Sequence, residues 1–180
     1  MKRVLLSFVV VLLVGVATFA AAQAQDKRTE MKMSAVPQTA EWQKLRSLVG
    51  NWEGVVEEGG KKLLATVEVR MTGDGSAIMH VIGRDTPHEM VTMFHPDGKR
   101  LLATHYCAAH NQPRMALVAP SAPNRLVFEF VDGTNIAPGD THMKRVAITI
   151  KDADHHDEAW ASATGGKEEP ATVFSFSRKK

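Results

Sequence analysis

From Trp52 onward, short segments alternate apolar and polar residues with a period of two, which is the signature of strands with one buried face. One earlier stretch carries a helical period instead. In TAEWQKLRSLVG, residues 39 to 50, Trp42, Leu45, Leu48 and Val49 fall on one face. Thr39 is placed to cap the start and Gly50 to stop the helix. A lone helix with one apolar face needs something to cover, such as the mouth of a barrel or the side of a sheet.

Ten strands are expected after it: Trp52 to Glu57, Lys62 to Met71, Ser76 to Gly83, Glu89 to His95, Arg100 to Cys107, Arg114 to Val118, Arg125 to Val131, His142 to Ile150, Asp157 to Thr164 and Ala171 to Arg178. Turn signals separate them: Gly59-Gly60, Gly73-Asp74-Gly75, Pro96-Asp97-Gly98-Lys99, Pro120, Pro123-Asn124, Asp132-Gly133, Pro138-Gly139 and Gly165-Gly166. The segments flanking Pro96-Asp97-Gly98-Lys99 form the clearest hairpin. Short strands at regular spacing with a single helix predict an all-β fold. A closed antiparallel up-and-down β-barrel is favoured over a sandwich, because closure removes exposed edges.

Composition adds a compartment. Lys2 and Arg3 precede an apolar run from Val4 to Ala20, and Ala22-Gln23-Ala24 fits a small-x-small cleavage rule. A signal peptide over residues 1–24 is therefore expected, with a periplasmic or secreted product and no membrane association after cleavage. A flexible lead-in over 25–38 and a barrel domain over 39–180 complete the organisation. The chain holds 22 basic and 20 acidic residues; the leader carries two of the basic ones and no acid, so 20 face 20 in the remainder. That balance lacks the clustered basic face of a nucleic-acid binder. The basic end, Arg178-Lys179-Lys180, reads as a solvated strand terminus. The one cysteine, Cys107, excludes an internal disulfide, so stability must come from packing.

The candidate chemistry gathers in ATHYCAAHNQPRM, residues 103 to 115, which holds His105, His110, Cys107 and the only tyrosine, Tyr106. Alternation places Leu101, Ala103, His105 and Cys107 on one face and Leu102, Thr104 and Tyr106 on the other. Three readings follow. His105, Tyr106, Asn111, Gln112, Arg114 and His142 could present polar groups to a small, partly apolar ligand in a barrel cavity. Arg114 would suit a carboxylate if it faced inward, and Met79, Met90, Met93, Met115 and Met143 would line an adaptable cavity or fill a core. Alternatively, His105, Cys107 and His142 could hold haem or a transition metal, although His105 and Cys107 together supply only two of the three or four ligands zinc needs. Third, Cys107 with His105 or His110 could act as a thiol nucleophile, without an evident acid partner. No cofactor is expected on the first reading, and an enzyme is the less favoured class. His155 and His156, in the acidic DADHHDE, are expected to be solvated.

LVGNWEG, Leu48 to Gly54, directly after the helix, resembles the opening of calycin-type barrels: lipocalins, fatty-acid-binding proteins and nitrobindin-like proteins. The resemblance implies that Trp52 closes one barrel end and that Gly50 permits the tight entry. FHPDGKRLLATHYCAAHNQPRM, FEFVDGTN and DTHMKRVAITIKDADHHDEAW resemble a group of secreted bacterial lipocalin-like proteins of unassigned function. These blocks imply fold and export over most of residues 45–178, and no activity. Nitrobindin-like relatives bind haem through a histidine on a late strand. His142 does not match that motif, so the haem-ligand role is not carried onto it. The classical lipocalin disulfides are absent.

Overall fold

A computed structural model describes residues 32–58, 61–118 and 122–180, with backbone only at Glu58. The expected signal peptide lies outside the described residues. The unit Ala35–Lys180 is built from one helix, α1 (Ala40–Ser47), and eleven strands. The strands are β1 (Gly50–Glu58), β2 (Lys61–Thr72), β3 (Ala77–Ile82), β4 (Met90–Asp97), β5 (Arg100–Tyr106), β6 (Gln112–Val118), β7 (Arg125–Thr134), β8 (His142–Ile150), β9 (His155–Thr164), β10 (Lys167–Glu168) and β11 (Thr172–Arg178).

Each strand pairs antiparallel with its neighbour in sequence from β1 to β9, and β11 bridges β9 and β1. The sheet therefore closes on itself as an up-and-down barrel of ten strands, with two-residue β10 extending the β9 edge. All ten expected strands are present. The alternation that suggested them is the burial pattern itself: in β5, Leu101, Ala103 and His105 are buried between exposed or half-buried neighbours. Inward-facing Val67, Val69, Ile78, Phe94, Leu101, Met115, Leu126, Phe128, Val146, Ile148 and Phe176 make one continuous core.

The helix covers the barrel end where β1 begins and β11 finishes. Thr39 Oγ1 accepts from Trp42 N at 3.1 Å, the expected cap. Trp42, Leu45 and Leu48 are buried in the same core as Trp52, whereas Val49, expected on that face, is 37% exposed because the helix ends before it. Trp52 Nε1 donates to Leu48 O at 2.7 Å.

Arg178 locks this junction, which corrects the expectation of a solvated terminus. Its guanidinium donates to Ser47 O (2.9 Å), Val49 O (2.8 Å) and Ala153 O (3.0 Å), and lies 4.1 Å from the Trp52 ring centroid. A cation at the carbonyl end of a helix is also where the helix dipole favours one. Gly50 sits at φ +143°, and a Cβ there would lie 2.5 Å from Arg178 Nη1. Glycine is thus required twice, by its backbone conformation and by the close approach of the arginine.

Candidate functional site

Inside the barrel the apolar core is interrupted by a belt of polar side chains. His80 on β3 pairs with Thr92 on β4, and Thr92 with His105 on β5, so the three stand side by side on the inner face. From β9, His156, Glu158 and Trp160 point inward with the period of two. His80, Thr92, His105, His156 and Glu158 are each no more than 2% exposed.

Glu158 is the hub. Its Oε1 accepts from His80 Nε2 at 2.9 Å and from His156 Nε2 at 3.0 Å, and its Oε2 accepts from Trp160 Nε1 at 2.9 Å. The first bond joins β3 to β9, which are not neighbours in the sheet, so it runs through the barrel interior. A buried carboxylate is costly unless paired and hydrogen-bonded. Burial pushes the Glu158 carboxyl up, but the attraction of His80 and the hydrogen bonds from His156 and His80 outweigh it. The net result lies below the usual carboxylate range. Glu158 is therefore an anion with three donors around it.

His105 behaves differently. Burial, and then the charge of His80, lowers its pKa to about 4, so it is neutral at pH 7. Its Nδ1 meets Thr92 Oγ1 at 2.8 Å, and no other side-chain bond involves that hydroxyl. If the hydroxyl donates to Nδ1, only Nε2–H is left over. The opposite tautomer would strand both the hydroxyl proton and the Nε2 lone pair. His105 Nε2 is therefore an unspent N–H donor. His80 Nδ1 and His156 Nδ1 are likewise buried without a partner. Aromatic rings wall the cluster: Trp160 lies 5.0 Å from His105 and 6.0 Å from His80, and Trp52 lies 4.3 Å from His156.

No protein-family profile matches the chain, and no curated protein matches it in sequence. Solved structures share its fold, the following two among them. Rv2717c from M. tuberculosis is 13% identical, covers 81% of this chain and 100% of its own, and superposes with a TM-score of 0.57. A protein of unknown function from the DUF3598 family of Nostoc punctiforme is 10% identical, covers 82% of this chain and 51% of its own, with a TM-score of 0.53. The likeness is one of fold. It supports a barrel compatible with ligand binding and does not reach the narrower lipocalin or nitrobindin resemblance.

Of the residues singled out from sequence, His105 alone joins the interior belt. Tyr106, one residue on, is 50% exposed on the outer face. Arg114 also faces outward, in a two-pronged pair with Asp132, which holds its guanidinium charged and the Asp132 carboxyl low. It is not the inward arginine that a carboxylate ligand would need. Gln112 is half-buried and its Oε1 accepts from Thr134 Oγ1. Asn111 is buried in the loop after β5, where its Nδ2 donates to Thr141 O. The His142 ring lies 4.5 Å from that of Phe130, tilted by 48°. β5 ends at Tyr106, so Cys107 leaves the alternation; it is half-buried in a tight loop closed by Cys107 N to Asn111 O. Among the described residues no three His, Cys, Asp or Glu side chains form a group that could hold a metal ion.

His156 was misplaced by the sequence reading. β9 starts at His155, not Asp157, and register with β11 pairs His156 with Phe176. His155 is the solvated one, bonded to Asp152, and His156 is fully buried. Glu158 and Trp160 were not singled out at all. The available signal was polar residues at inward positions: His80 in AIMHVI, and His156, Glu158 and Trp160 at alternate places in HHDEAW.

Proposed function

We propose that this chain is an exported binding protein, periplasmic or secreted, that holds a small, partly apolar ligand inside its barrel. The observation that carries the reading is His105 Nε2, buried, unpartnered and beside the Trp160 ring. Polar atoms left unpaired in an interior are costly, and a ligand acceptor would satisfy this one. The half-buried Met90 and Met143 pack against the core. Methionine repacks readily, so these two are the side chains that yield to a guest.

Native mass spectrometry of the protein isolated from its own compartment tests the reading. A bound organic mass of small-molecule size is expected, lost on denaturation and absent from His105→Leu. A bare polypeptide, together with no quenching of tryptophan emission by a neutral probe such as 2-naphthamide, would overturn it.

Haem or a transition metal is a second reading, favoured by one observation. His105 Nε2 is buried without a partner, and it would ligate a metal in the opposite tautomer, with Nδ1–H donating to Thr92 Oγ1 as the second nitrogen of a metal-ligating histidine does. The fit is partial. One nitrogen is available, and Trp160 fills the space beside it. A haem absorption band in the purified protein, lost in His105→Ala, would favour this reading over the first.

A further inference from the structure

The hairpin of β1 and β2 runs past the rest of the sheet. β2 pairs with β1 as far as Lys61, but its ladder with β3 stops at Val67 and Ile82. β1 in turn pairs with β11 only as far as Val56. Among the described residues no strand lies along the β3 side of Lys61–Ala65. A bare edge of this kind is a template for another strand. Lys61 and Lys62 begin it, and two leucines follow. Leu64, on the outer face, is 75% exposed, and Leu63, on the face of buried Ala65 and Val67, is 43% exposed.

Backbone geometry decides which groups are free. Gly83 N donates to Thr66 O at 3.0 Å, so Thr66 turns its carbonyl toward β3. On an antiparallel strand every second residue points its N–H and C=O to the same side. Lys62 and Leu64 therefore aim theirs at the bare edge, whereas Leu63 and Ala65 turn theirs toward β1.

We infer that this edge joins the same edge of a second copy of the chain, antiparallel, about a two-fold axis at Leu63. In that register Lys62 of each copy faces Leu64 of the other. The two pairs exchange N–H···O bonds in both directions, which satisfies every backbone group that Lys62 and Leu64 leave free. The two Leu63 side chains meet on the axis as a closely spaced pair. The two Leu64 side chains become diagonal neighbours, with the lysine stems lying against them. Lys62 keeps Glu57 as its neighbour across β1. Other registers are worse. An axis at Lys62 sets like charges opposite each other. An axis at Leu64 sets Lys62 opposite Thr66, whose carbonyl Gly83 already holds. Charge, apolar contact and backbone hydrogen bonding thus select one pairing. It uses up the edge, so it closes at two copies. It lies outside the barrel interior and stands whether or not that interior takes a ligand.

Sedimentation velocity of the purified protein, from about 5 to about 500 µM, is expected to show a reversible monomer–dimer equilibrium, because an edge this short makes a weak contact. Leu64→Lys puts an ammonium opposite Lys62 in both halves and should raise the dissociation constant by about tenfold. Leu64→Glu puts a carboxylate there and should leave the constant unchanged or lower it. Leu64 is exposed, so both variants keep the fold, which circular dichroism verifies. In a Cys107→Ala background, Leu63→Cys is expected to form a disulfide-linked dimer in air with copper phenanthroline, because the axis sets that residue against its own copy. Lys61→Cys, which faces Ala65 of the other copy, is expected to stay unlinked. A monomer at every concentration overturns the inference and leaves the edge to some other chain. A dimer that responds alike to Leu64→Lys and Leu64→Glu, or that links through Lys61→Cys as readily as through Leu63→Cys, overturns it as well, since the contact then lies elsewhere.

Discussion

Glu158→Gln is the most informative single change, because it alters charge while keeping shape. The carboxylate accepts three hydrogen bonds, at 2.9, 3.0 and 2.9 Å, from groups with no access to water. A charge-assisted bond contributes roughly 1.5–3 kcal/mol and a neutral one roughly 0.5–1.5 kcal/mol. A glutamine carbonyl can still accept from two of the donors, losing about 1 kcal/mol at each. Its amide NH2 must then face the third donor, which leaves a buried N–H unpaired at a further cost of about 1–3 kcal/mol. The total is about 3–5 kcal/mol, the range typical for breaking a buried ion pair from one side. Guanidinium unfolding at pH 7, followed by tryptophan emission, measures it directly. The pH dependence has a definite sign. The folded Glu158 carboxyl is held below its ordinary value of 4.5, so its contribution is complete above that value. It is lost as pH falls below 4.5 toward the lower folded value, and the gap between wild type and variant narrows there. A variant within about 0.5 kcal/mol of wild type at pH 7 would mean that the cluster is not a charged network, and the electrostatic reasoning built on it would fail.

Other changes probe other parts of the argument. His105 has a pKa of about 4 in the fold against an ordinary 6.5. Between those values the unfolded chain binds a proton that the folded one refuses, so stability falls as pH drops through the window. Between pH 7 and 5 wild type should lose about 2 kcal/mol more than His105→Leu in denaturant titrations, and equal losses would contradict a buried neutral imidazole. Arg178→Lys removes the fork that reaches three backbone carbonyls and the stack on Trp52, and should lower unfolding free energy by about 1–3 kcal/mol. Gly50→Ala should act on the same junction, and pairing it with Arg178→Lys should give less than additive loss in a double-mutant cycle. Arg114→Ala should leave both melting temperature and interior ligand binding unchanged, since Arg114 pairs with Asp132 on the outer wall. A loss of binding in that variant would move the site out of the barrel.

The sequence by itself determined what depends on local period. Alternation placed ten strands and set Leu101, Ala103 and His105 on one face of β5 and Tyr106 on the other, because successive side chains on a strand take opposite faces. The Thr39 cap, the helix and the Gly50 entry to β1 were legible for the same reason: each is decided within a few residues. Barrel closure was legible only as the general cost of exposed strand edges.

The tertiary structure decided what depends on contact between distant segments. His80 and Glu158 are 78 residues apart and meet only because closure places β3 across the interior from β9. His156 looked like part of an acidic turn until register against β11 drew it into a strand. Arg178 looked like a charged tail until its strand ended beside the helix's free carbonyls. Arg114 could have faced either way by composition, and its pairing with Asp132 across β6 and β7 put it outside. A period of two says which residues share a face. Which face becomes the interior, and which polar groups meet there, is set by the register and closure of the whole sheet.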